Sequence, residues 1–158
     1  MSIHFVTGNL FEAKADILVN PVNCLGVMGK GVAAGVKALY PECFQDYKDA
    51  CDERIIHPGN VYRYAVDNPQ SSVRVIYNFT TKGDWRKKSE IAWIKSGLTH
   101  LLFELEAEDD ADIYSSMVMP ALGCGNGKLS WEEVKPLIEE TLAPLEDHLL
   151  DVYVYEPH

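Results

Sequence analysis

The chain has 158 residues, of which 47% are hydrophobic, a length that suits one domain over residues 1–158 with about two-thirds of its unfolded surface buried. Acidic residues outnumber basic ones 24 to 14, for a formal net charge of −10. That argues against strong sequence-independent affinity for a long nucleic acid, which needs clustered basic residues to neutralise phosphates. No run of about 18 apolar residues occurs, so no membrane span is expected. The opening MSIHFVTGN has neither a basic n-region nor a long apolar h-region, so no signal peptide is expected either. Cys24, Cys43, Cys51 and Cys124 form no C-x-x-C pair, and the simplest reading is reduced thiols in a cytoplasmic protein.

In chain order, Ile3 to Thr7 reads as a first strand closed by Gly8-Asn9, and Leu10 to Ala15 as a short connection. Ile17 to Val19 is a β-branched, buried second strand that Asn20-Pro21 should break, since proline gives no N–H to a ladder. A loop with Gly26, Gly29 and Gly31 follows, then a helix from Gly31 to Leu39 that stops before Pro41. Pro41 opens another short helix carrying Phe44, Tyr47, Lys48 and Cys51. After the turn His57-Pro58-Gly59-Asn60, two strands, Val61–Val66 and Val73–Phe79, form a hairpin. Ser89 to Ala107 is the clearest helix, with Ile91, Ile94, Leu98, Leu101, Leu102 and Leu105 on one face. The acidic cluster Glu104 to Asp112 reads as a solvated turn. Ile113 to Met119 is a buried strand stopped by Pro120, and the run from Gly123 to Gly127 is a second glycine loop. Ser130-Trp131-Glu132-Glu133 fits a capping box for a helix running to Leu145, with a kink or late start at Pro136. Val152 to Tyr155 is the last strand. The pattern gives an α/β fold with a mixed sheet and helices on both faces.

Each glycine loop follows a buried strand and precedes a helix, so both belong at the carboxyl edge of the sheet, where open α/β folds bind ligands. Facing each other, they could grip a diphosphate through backbone N–H groups. Neither is a standard nucleotide motif. After Gly29 and Gly31 the next glycine, Gly35, is one residue late for G-x-G-x-x-G. The run from Gly123 to Lys128 is one residue short of a P-loop and ends in Leu129, where Ser or Thr would bind magnesium. His4, His57, His100, His148 and His158 show no metal-ligand spacing.

The stretch NPVNCLGVMGKGVA resembles the corresponding stretch of macrodomains, the ADP-ribose-binding modules. MPALGCGNGKLSW, from Met119 to Trp131, resembles the family's other phosphate loop. NFTTKGDWR, from Asn78 to Arg86, resembles a motif of one branch, that of the DarG antitoxin macrodomain and the human terminal ADP-ribose glycohydrolase. The resemblance covers nearly the whole chain and implies a three-layer α/β/α fold with about six central strands. It implies that Asn9 and Leu10 lie near the adenine, through backbone contacts, and that Asn23 hydrogen-bonds the distal ribose. Met28, Gly29, Lys30, Gly31 and Val32, with Gly123, Cys124, Gly125, Asn126 and Gly127, would enclose the diphosphate and that ribose. Thr81 would join them beside the branch motif. No metal or cofactor is implied.

Lys82 follows a buried strand at the end where both glycine loops should lie, and it matches the position of the branch's catalytic lysine. A partly desolvated lysine has a lowered pKa and serves as nucleophile or base. It would attack the anomeric carbon of the distal ribose, or act there without forming an adduct. Lys87 and Lys88 read as solvated charges, and Trp85 and Arg86 as either packing or cover for the site. Asp16 and Asn20 fit turn-fixing roles and stay outside the site. Cys124 has no histidine nearby in sequence, so backbone contact accounts for its place as well as nucleophilic chemistry does.

One position departs from the human glycohydrolase, which carries an acidic residue where Gly127 stands. That moves the expected substrate away from protein glutamate and toward an ADP-ribosylated DNA base, plausibly on a single strand. DarG has a further C-terminal region, so the resemblance implies a hydrolase module rather than a whole antitoxin. Two other readings share the cleft: a module that holds ADP-ribose without turnover, and an enzyme for O-acetyl-ADP-ribose or ADP-ribose 1″-phosphate.

Overall fold

The computed structural model describes residues 3–157, so His158 lies outside the described residues. A six-stranded sheet carries the fold: β1 (Ile3–Val6), β2 (Ile17–Val22), β3 (Val61–Ala65), β4 (Val75–Thr80), β5 (Ser116–Pro120) and β6 (Asp151–Tyr155). Their order is β1-β6-β5-β2-β4-β3, with every neighbouring pair parallel except β3 on β4. The sheet is therefore mixed, and the antiparallel edge is the expected hairpin. No helix among the described residues is long and apolar enough to cross a membrane.

Helices cover both faces because the central strands are apolar on both. Toward one face point Ile17, Val19, Tyr77, Phe79, Met117 and Met119, against α3 (Ile91–Ala107) and α5 (Trp131–Leu142). Toward the other point Leu18, Val22, Ile76 and Val118, against α1 (Gly31–Leu39) and α2 (Pro41–Asp52). Ile94, Leu98, Leu101 and Leu105 of α3 are fully buried, each contributing on the order of 1.5–3 kcal/mol by leaving water. Gly97 lets α3 lie flat on the sheet, since a Cβ there would be 2.3 Å from the Phe79 ring.

Several boundaries differ from the sequence reading. Pro21 does not break β2, which runs on to Val22. Backbone groups alternate sides along a strand. The Val22 carbonyl accepts from Thr81 N on the β4 side, so Pro21 faces β5, where pairing has already stopped at Leu18. No ladder bond is lost there. The acidic cluster is solvated at Glu106, Glu108, Asp109 and Asp112 but not throughout: Asp110–Ile113 forms a short helix, α4, and Asp110 is 1% exposed. Arg63 grips its carboxylate with Nε at 2.9 Å and Nη2 at 3.0 Å, and the Tyr77 hydroxyl donates at 2.5 Å. Ile113 ends this short helix, so the strand expected over 113–119 starts instead at Ser116. Ser130 caps α5 by backbone position but makes no side-chain capping bond. The helix begins at Trp131 without a late start. Pro136 sits on its exposed side, where the loss of an i−4 hydrogen bond is best tolerated.

Candidate functional site

The sheet opens where β2 meets β5. β2 pairs with β4 along all six residues but with β5 only at Ile17–Met117 and Leu18–Val118. Asp16 N donates to the Ser116 carbonyl, so Ser116, Val118 and Pro120 turn their backbone groups toward β2. Pro21 and Pro120 thus face one gap from opposite sides, and neither can donate a hydrogen bond across it. The helices that follow the two strands, α1 and α5, pack on opposite faces of the sheet. This is a topological switch point, with the crevice at the carboxyl ends of the strands. The five parallel strands β4, β2, β5, β6 and β1 all end on this edge. At ordinary strand spacing it runs about 19 Å from β4 to β1, long enough for an extended nucleoside diphosphate sugar.

Three loops line the crevice and are sewn together by backbone bonds. Residues 23–30 follow β2, residues 81–90 follow β4, and residues 121–130 follow β5. Thr81 N donates to the Val22 carbonyl at 3.0 Å, and Cys24 N donates to the Gly83 carbonyl at 3.0 Å. At the far end of the middle loop, Ser89 N donates to the Gly127 carbonyl at 3.0 Å. The Ser89 hydroxyl donates to the Thr81 carbonyl, closing the middle loop on itself. The segment that holds Lys82 is thereby clamped between the two glycine loops.

The Lys82 side chain is only 8% exposed, and its Nζ donates to the Trp85 carbonyl at 3.1 Å. Burial pushes the amine below the usual lysine range, and the positive charge of Lys30 adds to that. Asp84 opposes the shift and Lys128 reinforces it. Lys30 closes the first glycine loop and Lys128 the second, so three ammonium groups meet across a crevice in an acidic protein. Such an arrangement suits an anion and disfavours the protonated form of the buried amine. Beneath it, Asn20 Nδ2 donates to Asn78 Oδ1 at 3.0 Å. Among the described residues, the buried Asn20 Oδ1 and Thr80 Oγ1 have no hydrogen-bond partner. Such groups are rare in a core.

The loops hold their shape by different means. In the first, Asn23 is a hub: its Nδ2 donates to the Val27 carbonyl at 2.8 Å, and its Oδ1 accepts from Leu25 N at 2.9 Å. The Tyr47 hydroxyl, fully buried on α2, lies 2.7 Å from the Asn23 carbonyl and 3.0 Å from its Oδ1. Met28 is buried with its sulfur against Asn20, so its backbone is the part that borders the crevice. Gly29, Lys30 and Gly31 are exposed, Val32 half-buried. The second loop is held by the lack of side chains. A Cβ on Gly127 would lie 2.6 Å from the Gly123 carbonyl oxygen, the same oxygen that accepts from Leu129 N at 2.8 Å. Gly123 has φ 74°. Around Gly125 there is open space, and Asn126 is exposed.

Of the remaining sequence candidates, Asn9 is exposed, and its side chain caps the 3₁₀ turn Leu10–Glu12 by accepting from Phe11 N at 2.9 Å. Leu10 is buried in the core. Both side chains are committed, which leaves their backbones for a ligand. Thr81 is buried beside Val22. Cys124 borders the second loop, but burial raises its thiol to about 11, leaving almost no thiolate at neutral pH. Asp16 is structural: its Oδ2 accepts from Ser115 N at 3.0 Å and from Ser115 Oγ at 3.1 Å. The sequence did not disclose Tyr47 and Ser89 as site supports. Tyr47 sits among apolar residues at helical spacing and looks like ordinary core.

A family model described as Macro domain matches residues 19–138. A curated relative from Thermus aquaticus, named DNA ADP-ribosyl glycohydrolase, is 41% identical over 98% of this chain and 41% of its own length. The chain thus spans about two-fifths of that relative. The solved macrodomain of Mycobacterium tuberculosis DarG superposes with a TM-score of 0.90 at 35% identity, covering 99% of this chain and 98% of that one. The solved structure of Thermosipho africanus DarTG in complex with ADP-ribose gives a TM-score of 0.87 at 32% identity, over 99% of this chain and 42% of that one.

Proposed function

The chain belongs to the macrodomain family, and from that footing we propose that it removes ADP-ribose from a modified DNA base, with Lys82 as the reacting group. The observation that carries this reading is the placement of Lys82: a nearly buried amine, clamped by backbone bonds between two anion-binding loops. The diphosphate lies between residues 28–32 and residues 123–127, near Lys30 and Lys128. This brings the distal ribose to the β4 end of the crevice and the adenine toward Asn9 and Leu10.

Neutral Lys82 attacks the anomeric carbon of the distal ribose. The bond from that carbon to the base breaks, its electron pair leaves with the base nitrogen, and the nitrogen then takes a proton. Water resolves the sugar–lysine adduct, giving ADP-ribose and the free amine. Burial and the nearby Lys30 favour the unprotonated state this step needs. Position 127 supports a base rather than a glutamate ester as the leaving group, because Gly127 offers no carboxylate and the loop has no room for one.

The test is a time course on thymidine-ADP-ribosylated DNA, glutamate-ADP-ribosylated protein and O-acetyl-ADP-ribose, beside a titration with free ADP-ribose. Release from DNA alone is the expected result. Release only from protein or from the acetyl ester moves the activity to another substrate, and tight binding without any release makes the chain a reader of ADP-ribose.

A further inference from the structure

Charge on this protein is unevenly placed. The crevice loops, residues 23–30, 81–90 and 121–130, hold Lys30, Lys82, Arg86, Lys87, Lys88 and Lys128, six of the 14 basic residues, against two acidic residues of 24, Asp84 and Glu90. The Asp84 carboxylate is spent on shaping the rim. Arg86 Nε and Nη2 lie 3.0 and 2.7 Å from its oxygens, and Arg86 N donates to it at 2.9 Å. The turn closes with Lys87 N donating to the Asp84 carbonyl at 3.0 Å. So held, the guanidinium lies 5.6 Å from the centre of the Trp85 ring, and the indole stays 43% exposed. An exposed indole beside a fixed planar cation, followed by two exposed lysines, has the composition of a single-strand binding platform: a π-face for a base and charges for the phosphates on either side.

The platform adjoins the reacting group. The Trp85 carbonyl is the acceptor for Lys82 Nζ, so the indole and the amine are carried by one turn. Loop 23–30, joined to the same turn through the Cys24–Gly83 bond, exposes Leu25 and Val27. On the hydrolase reading, a base joined to the anomeric carbon at Lys82 lies beside this turn, with the exposed indole within reach of its neighbouring nucleotide.

We propose that Trp85, Arg86, Lys87 and Lys88 form a flanking-nucleotide subsite that stacks the base next to the ADP-ribosylated one and holds its phosphates, making a single DNA strand, rather than an isolated nucleoside, the preferred substrate. The proposal rests on the DNA hydrolase reading. It reconciles a net charge of −10 with a DNA substrate, because the basic groups serve two or three phosphates at one mouth and not a duplex along a face.

The experiment compares kcat/KM for a thymidine-ADP-ribosylated pentanucleotide with that for ADP-ribosylated thymidine, in wild type, Trp85→Ala, Trp85→Phe and the double variant Lys87→Gln/Lys88→Gln. Anisotropy of the labelled pentanucleotide on Lys82→Ala protein runs alongside. Wild type should prefer the pentanucleotide by tenfold or more, on the scale of one stacked base. Trp85→Ala should collapse that ratio, chiefly through KM, while Trp85→Phe restores most of it. The double variant should flatten the salt dependence of pentanucleotide binding by about one to one and a half logarithmic units per tenfold change in salt. Equal kcat/KM for the two substrates in wild type overturns the subsite and leaves the hydrolase reading standing. No release from either overturns the hydrolase reading. In that case the anisotropy decides the subsite: a modified pentanucleotide bound no more tightly than free ADP-ribose overturns it too.

Discussion

The two glycine loops face each other across one crevice and reach their shapes in opposite ways. Residues 23–30 are organised by side chains, with Asn23 bonded inside the loop and to Tyr47, and the exposed Gly29 there meets only Val27, at 3.6 Å. Residues 123–129 are organised by exclusion, with Gly123 and Gly127 packed where no side chain fits. Glycine-rich composition in both loops therefore hides unequal constraint. The first loop should be sensitive at its asparagine and forgiving at Gly29, and the second should be sensitive at two glycines and forgiving at the one between them.

The largest expected effect tests exclusion. Gly127→Glu, which installs the acidic residue of the human glycohydrolase, must displace the Gly123 carbonyl, at about 1–3 kcal/mol of overpacking. ADP-ribose affinity should fall at least tenfold by calorimetry, and unchanged affinity would show that the loop can re-form. Next, Asn23→Ala strips the hub and leaves buried Tyr47 without its side-chain acceptor. Urea unfolding should register a loss of about 1–3 kcal/mol. Tyr47→Phe removes only the hydroxyl and should cost about 1 kcal/mol by the same measurement, with weaker ADP-ribose binding as the first loop loosens. Gly125→Ala meets open space and should stay within about 0.5 kcal/mol of wild type. If it proved as damaging as Gly127→Glu, the contrast between the loops would collapse.

A pH profile sharpens the same comparison, since each loop contributes one lysine near Lys82. In the proposed mechanism the amine reacts when neutral, so activity should rise with pH through a limb set by Lys82, and burial with Lys30 places that limb below the ordinary lysine value of 10.5. Lys30→Gln should move the limb toward higher pH, because removing a positive charge makes protonation of Lys82 easier. Lys128→Gln should move it the same way by less. A limb that ignores both variants would belong to another group.

Much of this was legible in the sequence because it is local. Strand, glycine loop and helix start follow one another within residues 17–39, and α1 has the bounds its composition suggested. What was not legible depends on partners far along the chain. Asp110 reads as one more charge in an acidic run until Arg63 and Tyr77, 47 and 33 residues earlier, arrive beside it. Pro21 reads as a strand breaker until β5 is known to leave β2 after Leu18. Lys82 was found through a motif, but its clamp could not be, since Cys24–Gly83 and Ser89–Gly127 are backbone bonds that no side chain announces.

The central claim is that a crevice built to hold ADP-ribose acquires its chemistry from one buried amine. Single-turnover release of ADP-ribose from thymidine-ADP-ribosylated DNA by wild type and Lys82→Ala, paired with calorimetric ADP-ribose affinity for both, tests it most directly. The account predicts that the variant binds ADP-ribose within a few-fold of wild type and releases it at least a thousandfold more slowly. Release at the wild-type rate by the variant would contradict it and leave Lys82 as a binding group only.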